Sequence, residues 1–114
     1  MMTPGLRQFR SASLRVAIPT GLPDDMQDGI REIVEVHAGN QRKGEANGLM
    51  RRVCDEADAD SAVLMLHVKQ YDDGMGTDQL QKFYGTHGFV VVQSEPVMLM
   101  ARQPFAGNMS RYDC

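Results

Sequence analysis

The sequence contains no tryptophan and only two cysteines, Cys54 and Cys114. Their spacing fits neither a CxxC pair nor a metal-ligand motif, which excludes a disulfide-dense scaffold and a zinc module. Two free thiols are typical of a reducing cytoplasm. No apolar run approaches the ~18 residues that a membrane-spanning helix needs, and the amino-terminal residues lack the apolar core of a secretory signal. We therefore expect a cytoplasmic protein.

An excess of positive charge is also missing, because the formal net charge is −3. A protein of this charge is not expected to bind nucleic acid through bulk electrostatics. The three histidines, His37, His67 and His87, are not spaced like metal ligands, so no metal site is expected. His67 falls within an apolar segment and is interpreted as a hydrogen-bonded core residue.

Length and composition indicate one globular domain. The chain has 114 residues, of which 42% are hydrophobic and 24% charged, and these are ordinary values for a folded domain. A chain of this size can bury a core without disulfides or metal. Residues 1–11 are predicted to be a flexible lead-in, residues 12–103 the domain, and residues 104–114 a disordered tail.

Hydrophobic periodicity divides the domain into strands and helices. Alternation with a period of two predicts strands, and recurrence at three and four residues predicts amphipathic helices. The predicted strands cover residues 13–18, 29–37, 62–68, 89–93 and 97–101, and the predicted helices cover residues 45–58 and 78–85. The order is therefore β-β-α-β-α-β-β.

This order predicts an α/β fold with a twisted mixed sheet flanked by helices. The strand–helix–strand unit over residues 29–68 implies a right-handed parallel crossover, and the last two strands imply an antiparallel hairpin. The nearly continuous apolar run 62–68 predicts a strand buried on both faces. Gly48 lies inside the first helix, where it costs about 1 kcal/mol relative to alanine. It indicates either close packing or a close ligand.

A polar, basic segment with a glycine connects the second predicted strand to the first helix. It contains Gln41, Arg42, Lys43, Gly44, Glu45 and Ala46. The first amides of a helix lack internal partners and the helix dipole adds positive charge there, so this arrangement suits a phosphate. The same residues also suit a generic turn before a helix, and the physical pattern alone leaves both interpretations open.

Two motifs in this chain resemble those of the GNAT superfamily of N-acetyltransferases. Residues 41–46 resemble its pyrophosphate motif, Gln/Arg-x-x-Gly-x-Gly/Ala. Residues 83–89, with Tyr84, Gly88 and Phe89, resemble its Leu-Tyr-x-x-x-Gly-Phe signature. A helix and a strand separate the two motifs, as in that family, and the resemblance runs from about residue 29 to 103.

The resemblance implies a site for acetyl-CoA as co-substrate. The amides of residues 41–46 would bind the pyrophosphate. The strand edge at Val34, Glu35 and Val36 would pair with the pantetheine arm, and Thr77 stands where many members have an asparagine near the cofactor.

The resemblance also implies catalytic residues. Tyr84 stands where the family's tyrosine protonates the departing thiolate, and a phenol with a pKa near 10 can remain protonated for this task at neutral pH. A carboxylate on the strand before the motif would be the general base. Glu32 and Glu35 are the candidates, and Glu32 is preferred because it shares a face with Val34 and Val36 in a regular strand.

The chain also departs from the family pattern. Glu45 occupies a usually apolar position, Thr77 replaces an amide side chain, and the amino-terminal part is short. A short acceptor side favours a large substrate such as a protein lysine over an enclosed small molecule. The expected activity is acetyl transfer from acetyl-CoA to a primary amine. The alternative is a non-catalytic GNAT-fold interaction or regulatory module. The sequence leaves a homodimer open.

Overall fold

A computed structural model describes residues 2–23, 25, 29–37, 44–68 and 77–104. The strands are β1 (Gly5–Phe9), β2 (Ala12–Ala17), β3 (Ile30–His37), β4 (Val63–His67), β5 (Val90–Gln93) and β6 (Leu99–Arg102). The helices of the described residues are α1 (Glu45–Ala59) and α2 (Thr77–Gly85). The predicted tail falls almost entirely outside this part of the chain.

The strands form one mixed sheet in the order β1-β2-β3-β4-β6-β5. Strands β3 and β4 are parallel, and every other neighbouring pair is antiparallel. The predicted parallel pairing of the strands on either side of α1 and the predicted antiparallel carboxy-terminal hairpin are therefore both present. Every element predicted from the periodicity has a counterpart in the structure.

The lead-in predicted over residues 1–11 contains strand β1 instead. It pairs with β2 in a tight hairpin, from Gly5 opposite Val16 to Phe9 opposite Ala12. The segment GLRQF has no apolar alternation, so its sequence does not signal a strand. Tertiary contacts hold it in place: Arg7 donates two hydrogen bonds to the Glu56 carboxylate on α1, at 2.9 and 2.7 Å.

The sheet has one buried face and one partly exposed face. The inner face packs against both helices and carries Ala12, Leu14, Val16, Ile33, Leu64, Leu66 and Met100. The outer face carries the alternate residues, among them Ala17, Glu32, Val34, Met65, His67 and Leu99. In β4 these alternate residues are half-buried, so the prediction of a strand buried on both faces is wrong. The described helices cover the inner face alone.

Helix α1 packs on the inner face through Leu49, Met50, Val53, Cys54 and Ala57, as its periodicity predicts. Gly48 permits close packing against β1. A Cβ atom at this position would lie 2.7 Å from Cε2 of Phe9. The glycine within the helix therefore reflects contact with the β1 strand, the first of the two explanations that the sequence allows.

A β-bulge interrupts β3 near its carboxyl end. Glu35 has a φ of 53°, and the pairing with β2 shifts between Ser13–His37 and Arg15–Val34. Val36 consequently packs toward the core with Ile33, whereas regular alternation would place it on the outer face with Glu32. The sequence-based face assignment of Val36 is therefore wrong.

A buried ion pair ties the last strand to α1. Arg102, only 3% exposed, donates to both carboxylate oxygens of Asp58 at 2.8 and 3.0 Å. Its Nε also donates to the His87 carbonyl at 2.7 Å. No helix within the described ranges is both long and apolar enough to span a bilayer.

Candidate functional site

Strands β3 and β4 pair only at their amino-terminal ends. The parallel ladder runs from Ile30–Val63 to Glu32–Met65, whereas β3 continues to His37 and β4 to His67. Beyond Glu32 and Met65 the two strands therefore separate. We call this gap, between residues 33–37 of β3 and 66–67 of β4, the fork. It leaves a length of β3 backbone unpaired on the β4 side, where an extended ligand can add hydrogen bonds.

The bulge lies beside the fork. Val34, Glu35 and Val36, predicted to contact the pantetheine arm, all belong to the stretch of β3 that has no partner in β4. Glu35 adopts the left-handed region, which costs a non-glycine residue of the order of 1 kcal/mol or more. Such strained positions are concentrated at functional sites. The bulge therefore marks this part of β3 as the candidate ligand edge.

Helix α1 begins at the end of the loop that follows β3. Its N-cap is Gly44, with a φ of 64°, and no side chain of the described residues forms a cap hydrogen bond there. A glycine in this conformation is unstrained, and a Cβ atom there would contact nothing within 4 Å. The predicted residues Gln41, Arg42 and Lys43 lie outside the described residues. The described part of the motif, from Gly44 onward, is thus a helix N-terminus with an uncapped first turn.

The carboxylate of Glu45, the first residue of α1, contacts Ser11. Glu45 as a whole is 5% exposed, and its carboxylate accepts hydrogen bonds from the Ser11 backbone N–H, at 3.2 Å, and from the Ser11 hydroxyl. Ser11 belongs to the β1–β2 turn. The carboxylate at the usually apolar position of the motif is therefore occupied in joining α1 to the first hairpin.

Tyr84 is buried near the end of α2, with an exposed fraction of 3%. Its ring makes edge-to-face contacts with Phe83 and Phe89, at centroid distances of 5.3 and 5.8 Å. Its carbonyl accepts hydrogen bonds from the N–H groups of His87 and Phe89, which closes the turn after the helix. Gly88 has a φ of 93° in that turn. Thr77, a predicted cofactor contact, is the first residue of α2.

The two candidate bases differ in their partners. Glu35 forms an exposed ion pair with Arg15, 2.7 Å from its Nε. Glu32 lies on the outer face with its Oε2 3.3 Å from Nδ1 of His67. His67 was interpreted from the sequence as a core residue, but its side chain is 38% exposed. No periodicity signal identifies this pair, because its members belong to different strands.

A second concave region lies between α1 and the turn that follows α2. This pocket of about 470 Å³ is lined by Arg51, Cys54, Asp55, Gly85, Thr86, His87, Gly88 and Arg102. Burial, with the nearby Asp55 and Asp58, raises the pKa of the Cys54 thiol to about 11 despite the opposing effect of Arg102. Burial also lowers the pKa of His87, as do Arg51 and Arg102. Cys54 is therefore a poor nucleophile at neutral pH.

No protein-family model matches the sequence, and no curated protein is significantly similar to it. Several solved structures resemble the fold, among them the following two. The anti-CRISPR protein AcrVA5 superposes with a TM-score of 0.67 at 19% sequence identity, over 88% of this chain and 98% of that one. An acyl-CoA N-acyltransferase from Pseudomonas aeruginosa superposes with a TM-score of 0.53 at 24% identity, over 80% of this chain and 59% of that one. The chain therefore has a GNAT-like fold, as the sequence motifs predict.

Proposed function

We propose that this protein is an acyl-CoA-dependent N-acyltransferase that transfers an acetyl group from acetyl-CoA to a primary amine. The observation that carries the proposal is the fork between β3 and β4, which opens beside the uncapped N-terminus of α1. One end of this arrangement suits an extended amide-containing arm and the other suits a pyrophosphate. Coenzyme A contains both parts in one molecule.

The cofactor fits the site in one direction. Its pyrophosphate would lie at the first turn of α1, where the amides after Gly44 and the helix dipole favour negative charge. Gln41, Arg42 and Lys43 would complete this contact. The pantetheine arm would run into the fork along Val34, Glu35 and Val36, and Thr77 at the start of α2 would contact the same arm. The thioester then lies near the point where β3 and β4 begin to separate.

The proposed reaction is direct attack of the amine on the thioester in a ternary complex. The acceptor ammonium first loses a proton to a base, for which Glu32 is the nearest candidate on β3. The neutral amine forms a C–N bond with the carbonyl carbon, the C–S bond breaks, and the amine nitrogen releases a second proton. Tyr84 protonates the departing thiolate. The products are an N-acetylated amine, free coenzyme A and one proton.

A lysine on the surface of a protein is the proposed acceptor. The outer face of the sheet, on which Glu32 lies, is not covered by either described helix. Val90 and Val92 at the edge of the sheet are 61% and 57% exposed. An open, partly apolar surface of this kind suits a protein substrate better than a small amine, which needs an enclosing pocket. The superposition with the anti-CRISPR protein AcrVA5 covers 98% of AcrVA5 and 88% of this chain.

The test is calorimetric titration of acetyl-CoA into the wild-type protein and two variants, Gly44→Asn and Gly44→Asp. Asparagine and aspartate have nearly the same size and tolerate a left-handed φ better than other side chains, so the two variants differ mainly in charge. We expect micromolar binding by the wild type, a modest loss in Gly44→Asn, and a further loss of at least about tenfold in Gly44→Asp, because a carboxylate would repel the pyrophosphate.

Equal affinities in the two variants would place the pyrophosphate away from α1. A folded wild-type protein that does not bind acetyl-CoA at all would overturn the proposed enzyme and favour a non-catalytic interaction module.

A further inference from the structure

The outer face of the sheet carries a carboxylate–imidazole pair across the fork. Glu32 is the last residue of β3 that pairs with β4, and its partner in the ladder is Met65. His67 lies two residues further along β4, opposite Leu99 of β6. The 3.3 Å contact between Glu32 Oε2 and His67 Nδ1 therefore spans the place where the two strands begin to separate.

The imidazole is the more accessible member of this pair. The His67 side chain is 38% exposed, whereas that of Glu32 is 22% exposed. Because Nδ1 faces the carboxylate, a proton on Nδ1 leaves Nε2 as the unprotonated nitrogen of the neutral ring. A carboxylate in this position fixes the orientation of an imidazole and stabilises the imidazolium that forms when it accepts a proton.

Among the described residues, Glu32 is the titratable group that faces His67. Strand β6 contributes the apolar Leu99 and Ala101 beside β4 on this face. Arg15, on the same face of β2, is paired with the carboxylate of Glu35. Among the described residues, Glu32 is therefore the charged group in contact with the imidazole.

We propose that His67 is the general base for the acceptor amine and that Glu32 is the positioning residue that orients it. This inference rests on the proposed acetyl transfer and changes the assignment of its base from Glu32 to His67. Nε2 of His67 accepts one proton from the ammonium, either directly or through one water, before the C–N bond forms. The imidazolium then returns that proton to solvent, so the overall reaction still releases one proton.

The pair also favours a cationic acceptor. The Glu32 carboxylate lies on the outer face beside the fork, where the neighbouring apolar residues Val34 and Met65 are half-buried. An ammonium group is attracted to it, and the alkyl chain of a lysine can lie against the apolar surroundings. The ammonium then lies beside the imidazole that removes its proton.

The experiment follows release of the coenzyme A thiol from acetyl-CoA with Nα-acetyl-lysine methylamide as the model acceptor. We expect His67→Gln to lower kcat by on the order of 10²-fold or more while the dissociation constant for acetyl-CoA, measured by calorimetry, stays within about threefold. The acidic limb of the kcat/KM profile, which an imidazole base produces between about pH 5 and 8, should be absent in this variant. Added imidazole should restore part of the rate of His67→Ala, which a purely structural role would not produce.

Two further variants distinguish loss of the His67 imidazole from loss of the Glu32 carboxylate and from a general effect of substitution. Glu32→Gln should lower kcat less than His67→Gln, because it removes the orienting charge and leaves the imidazole in place. Glu95→Gln, at an exposed glutamate between β5 and β6, is the matched carboxylate control outside the fork and should keep wild-type rates.

Wild-type rates in His67→Gln, with a large loss in Glu32→Gln, would overturn the inference and leave the proposed function intact. Acetyl-CoA binding by the wild type with no transfer to the model amine, or to the protein's own lysines, would overturn the proposed function and this inference together.

Discussion

The carboxylate of Glu45, the first residue of α1, accepts two hydrogen bonds from Ser11, which lies 34 residues earlier in the turn between β1 and β2. The contact buries the carboxylate beside the helix end that would receive a pyrophosphate. It also fixes the amino-terminal hairpin to the helix. Glu45 is therefore a structural residue at the edge of the candidate site.

Replacing Glu45 with glutamine tests whether this carboxylate stabilises the fold or weakens the binding of acetyl-CoA. Because the carboxylate faces Ser11, we expect Glu45→Gln to change acetyl-CoA affinity by less than about threefold in calorimetry. We also expect it to lower stability by about 1–2 kcal/mol in urea unfolding, because hydrogen bonds to a charged acceptor are stronger than neutral ones. Ser11→Ala is the matched partner variant and should destabilise the protein in the same direction. Tenfold tighter binding by Glu45→Gln would mean that the carboxylate opposes the cofactor.

Gly48 offers a second test, because contact with Phe9 should make alanine less favourable than glycine at this helix position. Glycine to alanine within a helix normally stabilises it by about 1 kcal/mol, but a Cβ atom here would lie 2.7 Å from the Phe9 ring. We expect Gly48→Ala to destabilise the protein by about 1–3 kcal/mol through overpacking. In a Phe9→Ala background the same change should become stabilising. Urea unfolding of the four proteins measures both effects, and an unchanged sign in the two backgrounds would contradict the contact.

The ion pair between Arg7 and Glu56 predicts a pH dependence of stability. The hydrogen bond from Arg7, together with its positive charge, lowers the pKa of Glu56 despite partial burial. A carboxyl group whose pKa is lower in the folded state contributes stability that is present above its unfolded pKa and is lost as pH falls through its folded pKa. We therefore expect Glu56→Gln to cost about 0.5–1 kcal/mol at pH 7 and progressively less in acid.

Urea unfolding at several pH values between 7 and 3 checks this sign. Glu95→Gln, at an exposed glutamate, is the matched control and should show a small difference at every pH. A cost for Glu56→Gln that stays constant down to pH 3 would contradict the assignment.

Cys54 gives a prediction about the chemistry. Because burial raises its pKa to about 11, its thiolate fraction at neutral pH is on the order of 10²-fold below that of a free cysteine. In a Cys114→Ser background, we expect a thiol reagent to label the folded protein at least that much more slowly than the urea-unfolded protein. Cys54→Ala should retain acetyl transfer within about threefold. An acetylated Cys54 detected by mass spectrometry during turnover would contradict direct attack by the amine.

The sequence predicted the helices and most strands because their apolar residues repeat with the period of the element. Leu49, Val53 and Ala57 mark α1, and Leu14 and Val16 mark β2, and all of them are buried as predicted. The mixed sheet and its GNAT-like order are confirmed. Strand β1 could not be predicted, because Gly5–Phe9 has no such repeat and depends on contacts with α1. The binding roles of residues 41–46 and the catalytic role of Tyr84 stay predictions.

The sequence by itself determined the order of the elements from β2 onward and the apolar face of α1. Each of these depends on neighbours within a few positions, where the chain's local geometry decides the outcome. Only the tertiary structure decided that Glu45 faces Ser11, that a bulge turns Val36 toward the core, and that Glu32 meets His67. The physical reason is that these contacts join residues of different elements, or depend on strand pairing, so local periodicity carries no information about them.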